Sequence, residues 1–438
     1  MNSIKEIYTK MFKSNFAKNI FLIAGGTAFS QAMGILFSPI ITRIYPPEQY
    51  GVLTAYTSVL GMLAIAASLD YQKAIPIAED DEKAINLLAL SIIILSVMVS
   101  IITMLILLYG DSFFNILDSN VLIKYKYLIP LGIFFTGMYN IVLQWGFRVR
   151  NYKLISRTKI NQSITSNFLK VILGLLKIGP IGLVFGTIIG QSAGITTLGM
   201  PIIKEKKMMK KIKISQIKNV SKRYIKFPLY SAPSNYVYTA GNQLPIIFLT
   251  TLFGKSIVGL YGLANNIVQL PMNLIGMSVS QVFYSEAANI GKSNPVELKR
   301  ISVKLIKKLS LIALVPLIIL LAFGPLLFSF VFGKQWYEAG VYARIISLMI
   351  YFQFIILPVG RILEIFERQK EGLIFNIMRL LMILIVFGIS KFINLNSYQT
   401  IILYTISNSI TYVALLFIVN LIFNYEIKNK KEENAIDI

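Results

Sequence analysis

The chain has 438 residues, 55% of them apolar and 14% charged, with a mean hydropathy of +0.66. Ordinary soluble domains run near a quarter charged, so this composition excludes a string of soluble domains and points to a polytopic membrane protein. The net charge of +23 lies between apolar runs rather than on one domain, which argues against nucleic acid and for topology signals that meet anionic headgroups.

A membrane-crossing helix needs about twenty mostly apolar residues. Twelve such stretches are read along the chain: 19–42, 51–69, 85–109, 127–147, 160–178, 181–203, 227–253, 257–283, 309–332, 341–363, 372–392 and 399–423. The basic start (Lys5, Lys10, Lys13, Lys18) has the look of a signal-peptide n-region. The apolar run behind it is long and ends in SPIITR without a small-residue cleavage site, so it is read as a retained first span. A further amphipathic cytoplasmic helix is expected over 284–308.

Between the sixth and seventh spans lies KEKKMMKKIKISQIKNVSKRYIK, Lys204 to Lys226, with ten Lys/Arg against the single acid Glu205. A segment this basic stays on the cytoplasmic side. With the N-terminus inside, 33 Lys/Arg fall in cytoplasmic segments and 8 in outer ones, so both termini are expected to be cytoplasmic, in the cell membrane. The expected organisation is a six-helix bundle over 1–203, a basic cytoplasmic linker over 204–226, and a second six-helix bundle with a short tail over 227–438. PIITRIYPPEQYGVL, Pro39 to Leu53, lies over Ile246 to Tyr261 at an offset of 208, placing Thr42 on Thr250, Tyr45 on Phe253 and Gly51 on Gly259. Parallel repeats of this kind are a transporter architecture with the substrate between the halves. The expected fold is thus all-α, with twelve transmembrane helices in two six-helix bundles around a central cavity.

With no Cys and no His, the chain has no thiol nucleophile, disulfide, imidazole acid–base group or His-metal site. Neither a metal nor a cofactor is expected, and no catalytic residue. What stands out is cationic. Lys170 in the fifth span is about ten residues past Ile160, roughly 15 Å into the membrane at 1.5 Å per residue. An ammonium there costs about 2.5–3.5 kcal/mol even on translocon scales, so it should face water, an anion or a carboxylate unless it snorkels to a surface. Arg379, one turn after Asn376, lies roughly 10 Å inside the eleventh span. Arg43 ends the first and could equally be an interfacial anchor. No Asp or Glu falls in the middle of any span: Asp70 and Glu364 sit at span ends and Glu286 just past one. Cations without acidic partners imply an anionic ligand.

Polar stripes accompany these cations. Span 1 carries Thr27, Gln31, Gly34, Ser38 and Thr42; span 5 carries Ser163, Ser166, Asn167, Lys170, Gly174 and Lys177 at helical spacing. Span 7 carries Ser231, Asn235, Tyr238 and Asn242; span 8 carries Asn266, Gln269, Asn273 and Ser280. Gln31, Asn167, Asn235, Tyr238, Asn266, Gln269 and Asn273 are candidate partners for sugar hydroxyls, although amides and hydroxyls also serve as glue between helices. Gly182, Gly186, Gly190 and Gly194 recur every four residues, a ridge for close helix packing. Gly254-Lys255-Ser256 and Gly291-Lys292-Ser293 lack the first glycine of a phosphate-binding loop, since Leu249 and Glu286 stand in its place.

TRIYPPEQYG, Thr42 to Gly51, and FGKSIVGLYGLANNIVQLPMNLIGMSVSQVFYSEAA, Phe253 to Ala288, resemble the Wzx-type polysaccharide-unit flippases of the multidrug/oligosaccharidyl-lipid/polysaccharide exporter superfamily. The resemblance spans essentially the whole chain. It implies two bundles in a V around a cavity open alternately to each side, and a substrate of undecaprenyl diphosphate bearing a short oligosaccharide, moved from the inner to the outer leaflet for O-antigen or capsule synthesis. Cavity cations would grip the diphosphate. Membrane lipids and other polysaccharide-assembly membrane proteins are the further partners it implies. Arg43 occupies the TR position of the first motif, where the second half has Thr251; Lys170 and Arg379 match no motif and rest on depth alone. Two other readings are weighed against this one. A cation-coupled drug exporter of the same superfamily needs an intramembrane carboxylate, and a membrane polymerase or glycosyltransferase needs acid–base residues on a sizeable loop.

Overall fold

The computed structural model describes residues 15–116 and 120–436; the predicted basic tail with Lys5, Lys10 and Lys13 lies outside the described residues. Among the described residues there is no strand, and nine helices are long and apolar enough to cross a membrane. The long helices are α1 (Asn15–Ile44), α2 (Pro47–Ala66), α3 (Asp81–Ile116), α4 (Leu128–Arg148), α5 (Tyr152–Leu175) and α6 (Pro180–Lys204). The helix Ala232–Val268 is interrupted at Gly254, whose φ of 75° and ψ of −174° suit only glycine. That break separates α7 (232–253) from α8, which continues from 255 through a π turn at Met272–Gly276 into Met277–Ile290. The rest are α9 (Pro295–Phe332), α10 (Tyr337–Gly360), α11 (Gln369–Phe392) and α12 (Ser397–Ile436). These twelve correspond one for one to the predicted spans; α2, α5 and α8 are the ones too polar or too divided to stand out by length and composition.

The break positions bear on the internal repeat. In the first half the chain turns at Pro46 (φ −69°, ψ 165°), with Pro47 opening α2 where its missing N–H costs nothing. Gly254 stands 208 residues later, the same offset that superposes the two motifs. Thr42 and Thr250, superposed by it, are both buried, and each donates to a carbonyl of its own helix.

Two compact units divide between Thr239 and Ala240. In the first, Tyr56, Ile75, Ile85, Leu87, Leu95, Ile129 and Ile133 form a fully buried apolar core. The Tyr56 hydroxyl donates to the Leu128 carbonyl at 2.9 Å and Tyr71 to that of Ser221 at 3.0 Å. Asp80 accepts from the Lys83 amide at 2.7 Å, which satisfies a first-turn donor of α3 and holds this carboxyl below its usual range.

The basic stretch is fastened to this unit rather than spanning free between two. Buried Asn86 on α3 donates to the Lys211 carbonyl and accepts from the Lys213 amide, both at 3.0 Å, and Arg223 pairs with Glu79. The helix Ile214–Arg223 packs on α3 with Val220 inward.

Asp70 provides a second fastening. Leu69 and Asp70 both adopt left-handed conformations (φ 50° and 59°), which turn the chain sharply after α2. The Asp70 carboxylate is 4% exposed and accepts from Lys73 Nζ at 2.9 Å, Ser231 Oγ at 2.8 Å and Asn235 Nδ2 at 2.5 Å. It thereby anchors the start of α7. Asp70→Asn exchanges charge-assisted bonds for neutral ones and is expected to lower stability by about 1–2 kcal/mol. Thermal unfolding of the purified protein measures this; an unchanged Tm would show that the cluster anchors nothing.

In the second unit Trp336, Tyr342 and Tyr412 are the largest fully buried side chains. Gly340 on α10 meets Gly324 and Pro325 on α9 so closely that a Cβ would lie 2.5 Å from the Gly324 oxygen. The amphipathic helix expected over 284–308 is not formed. The chain turns at Gly291 (φ 71°), Asn294 accepts from the Glu297 amide at 3.2 Å as a cap, and α9 runs unbroken from Pro295. The Asn-Pro pair is a helix start, which the charge pattern of the region hid.

Candidate functional site

The glycines of α6 let α5 approach to near contact. A Cβ at Gly186 would lie 2.6 Å from Lys170 Cγ and 3.0 Å from the Ser166 carbonyl; at Gly190 it would lie 2.7 Å from Ser166 Cβ. This seam holds the fifth helix, with its unusual load of polar groups, rigidly against the sixth. Gly186→Val is expected to cost about 1–3 kcal/mol through overpacking, seen as a lower Tm; a neutral Gly186→Val would mean the seam is loose.

Where the seam meets α1, a polar cavity of about 340 Å³ opens, lined by Thr27, Ser30, Gln31, Lys159, Gln162, Ser163, Ser166, Thr187, Gly190 and Gln191. No lining residue is acidic and none is apolar beyond the single glycine. Lys159 Nζ donates to Thr27 Oγ1 at 2.7 Å, while Ser30 Oγ donates to the Lys159 carbonyl at 2.6 Å and Ser163 Oγ to the Ser30 carbonyl at 3.0 Å. Gln162 Nε2 donates to Gln191 Oε1 at 3.1 Å. The hydroxyl protons of Thr27, Ser30, Ser163 and Thr187 are given to helix carbonyls, so the cavity presents hydroxyl lone pairs, amides and one ammonium.

Lys170 lies on the same face as Ser163 and Ser166, one turn beyond the cavity wall. It is half-buried over Gly186, and among the described residues its ammonium has neither an ion pair nor a hydrogen bond; only its carbonyl is used, accepting from the Tyr45 hydroxyl at 2.7 Å. Asn167 points back into the helix and donates to Ser163. Of the candidate ligand residues read from the sequence Gln31 lines the cavity, beside the stripe residues Thr27, Ser163 and Ser166 and the ridge glycine Gly190. Arg43 is exposed at the end of α1, Asn235 is engaged by Asp70, and Tyr238 is half-exposed.

In the second unit Arg379 is buried and donates to three neutral oxygens: Asn242 Oδ1 at 2.8 Å, the Gly241 carbonyl at 3.3 Å and Asn408 Oδ1 at 3.3 Å. Its guanidinium also lies 5.8 Å from the centre of the Tyr412 ring. Gln269 donates to Gln353 Oε1 at 3.3 Å; Asn266 and Asn273 are exposed.

Ser30, Lys159, Gln162, Thr187 and Gln191 line the cavity without standing out as site residues in the sequence. Lys159 is counted among the cytoplasmic charges because the fifth span is begun at 160, whereas Asn151 caps the helix nine residues earlier by accepting from the Leu154 amide. Extending the polar stripe of α5 upstream from Ser163 by one turn lands on Lys159, and that was the available signal.

Residues 40–341 match the sequence profile of a family described as "Polysaccharide biosynthesis protein". No curated protein matches the chain. Among solved structures, the inward-facing conformation of a multidrug resistance MATE family transporter of the MOP superfamily is similar with a TM-score of 0.71 at 17% identity, over 91% of this chain and 96% of that one. Lipid II flippase MurJ in an inward closed conformation is similar with a TM-score of 0.73 at 16% identity, over 94% and 90%. A MOP superfamily transporter from Pyrococcus furiosus, described as having a binding pocket of reversed polarity, is similar with a TM-score of 0.62 at 15% identity, over 95% and 98%. At these identities the likeness is one of fold. The chain is a multi-pass membrane protein that belongs to the polysaccharide biosynthesis protein family and has the all-helical fold of the MOP superfamily transporters.

Proposed function

We propose that this protein is a flippase that carries a polyprenyl-diphosphate-linked oligosaccharide from the cytoplasmic to the outer leaflet of the cell membrane, for assembly of a surface polysaccharide such as O-antigen or capsule. The observation that carries the reading is Lys170, an ammonium set within a membrane helix with no acidic partner among the described residues, one turn from a carboxylate-free polar cavity. A half-buried cation of that kind is stabilised by an anionic visitor, and a lipid diphosphate is one that a polysaccharide pathway supplies. Family membership supports the saccharide, and the fold shared with a lipid II flippase supports a lipid-linked cargo. Transport would proceed by alternating access biased by substrate, with both chain termini on the cytoplasmic side as the basic segments suggest.

A drug exporter driven by cations needs a carboxylate free to take one. The buried acid nearest that description, Asp70, is already occupied by the Lys73 ammonium, which disfavours the exporter. Deletion of the gene, followed by analysis of lipid-linked sugars, tests the proposal. Complete units should accumulate on the cytoplasmic leaflet. Single units accumulating outside would identify a polymerase instead, and an unchanged lipid-linked pool would remove the flippase reading altogether.

A further inference from the structure

We propose that the cavity of the first unit is a subsite for one acidic sugar, a hexuronate-like ring whose carboxylate sits on Lys159, and that it is distinct from the place where the diphosphate is held. The inference rests on the reading that the cargo is a lipid-linked saccharide and narrows its chemical class. Three observations lead to it.

The first is size. At about 340 Å³ the cavity stands at the low end of the roughly 300–1,000 Å³ typical of small-molecule sites. It has room for one ring rather than a repeat unit.

The second is charge. A diphosphate joining a sugar to a polyprenol carries two ionised phosphates, while the cavity offers a single ammonium. One carboxylate, ionised at neutral pH as carboxylates ordinarily are, matches one lysine. The remaining lining is what ring hydroxyls require: amides that both donate and accept, and hydroxyl oxygens of which four, on Thr27, Ser30, Ser163 and Thr187, already give their protons to helix carbonyls. Gln31 has no partner among the described residues, and Lys159 is paired only with the Thr27 hydroxyl, so both remain open to a ligand.

The third is spacing. Lys159 and Lys170 share one face of α5 and are eleven residues apart, roughly 16 Å along the axis at 1.5 Å per residue. One phosphate group cannot bridge them. The helix therefore carries two separate anion positions, with neutral polar groups between them.

The test uses the full-length protein in nanodiscs, with D-glucuronate, D-glucose and inorganic phosphate as probes at matched ionic strength, and ligand-observed NMR as the readout. Glucuronate should bind, and glucose should bind more weakly. Lys159→Gln should weaken glucuronate about tenfold or more, the scale of a lost hydrogen bond to a charged group, while leaving the response to glucose as it was. Gln31→Ala should weaken both sugars. Unchanged Tm values for the two variants establish that they are folded.

Failure of glucuronate to bind folded wild-type protein overturns the subsite, as does binding indifferent to Lys159→Gln. Displacement of glucuronate by equimolar phosphate also overturns it, because the cavity would then read phosphate. The deletion experiment separates the two claims. Glucuronate binding with an unchanged lipid-linked pool sinks the flippase and keeps the subsite, whereas accumulation of lipid-linked units without glucuronate binding does the reverse.

Discussion

Lys170→Met should raise the thermal stability of the protein and abolish most of its transport. The two effects have opposite signs because the ammonium has no partner to leave behind. It contacts Gly186 through its stem, and its amino group meets no acceptor among the described residues. Placing an isolated charge in a membrane helix costs about 2.5–3.5 kcal/mol on translocon scales, part of which the neutral, similarly shaped Met returns. In transport the loss is that of a charge-assisted contact to phosphate, about 2–3 kcal/mol, or roughly 30- to 150-fold in rate if that contact strengthens at the transition state. Tm in detergent gives the first sign, and accumulation of cytoplasmic-facing lipid-linked units in cells complemented with the variant gives the second. A stability gain bought with lost activity is the signature of a functional group held at a cost. If Lys170→Met instead lowers Tm and leaves export intact, Lys170 is a packing residue and the diphosphate grip must lie elsewhere.

The comparison of Lys170 with Lys159 shows what the sequence could carry. Twelve apolar stretches are legible because each helix must hide about twenty backbone units from lipid, and hydropathy records that directly. Depth is legible for the same reason, so Lys170 stands out. Lys159 does not, because a lysine near a helix end looks like a topology signal until the cap at Asn151 shows that the helix began earlier. The polar cavity depends on three helices meeting, α1, α5 and α6, and periodicity on one helix reports only which side is polar. It could nominate Gln31; it could not nominate Gln162 and Gln191, which face each other across a seam. Partnering is the least legible property of all. The same stripe logic that selected Asn235 could not say that Asp70, placed 165 residues earlier by two left-handed residues, already holds its amide.

Arg379→Ala is expected to fail by a different route from Lys170→Met, through stability. From the sequence alone the two cations differ only in depth, roughly 15 Å for Lys170 and roughly 10 Å for Arg379, and Arg379→Ala, like the loss of Lys170, is expected to lower export without lowering membrane insertion. The structure distinguishes them. Arg379 is 8% exposed, and its guanidinium ties α11 to α7 through Asn242 and the Gly241 carbonyl, and to α12 through Asn408 and the Tyr412 ring. Alanine removes the donor and leaves buried oxygens on two other helices without a partner. Each orphaned acceptor costs about 1–3 kcal/mol, so a total loss of about 3 kcal/mol or more is expected. Arg379→Lys should recover little, because an ammonium lacks the planar fork that reaches Asn242 and Asn408 in different directions. A double-mutant cycle with Asn242→Ala supplies the internal check, since the two losses should be strongly non-additive if they report one contact. The readouts are Tm and folded yield of purified protein, with export measured per folded molecule. Unchanged stability together with lost export would return Arg379 to the role of a substrate-gripping cation, and the neutral oxygens around it would then be the shell that aims it rather than the partners that fix it.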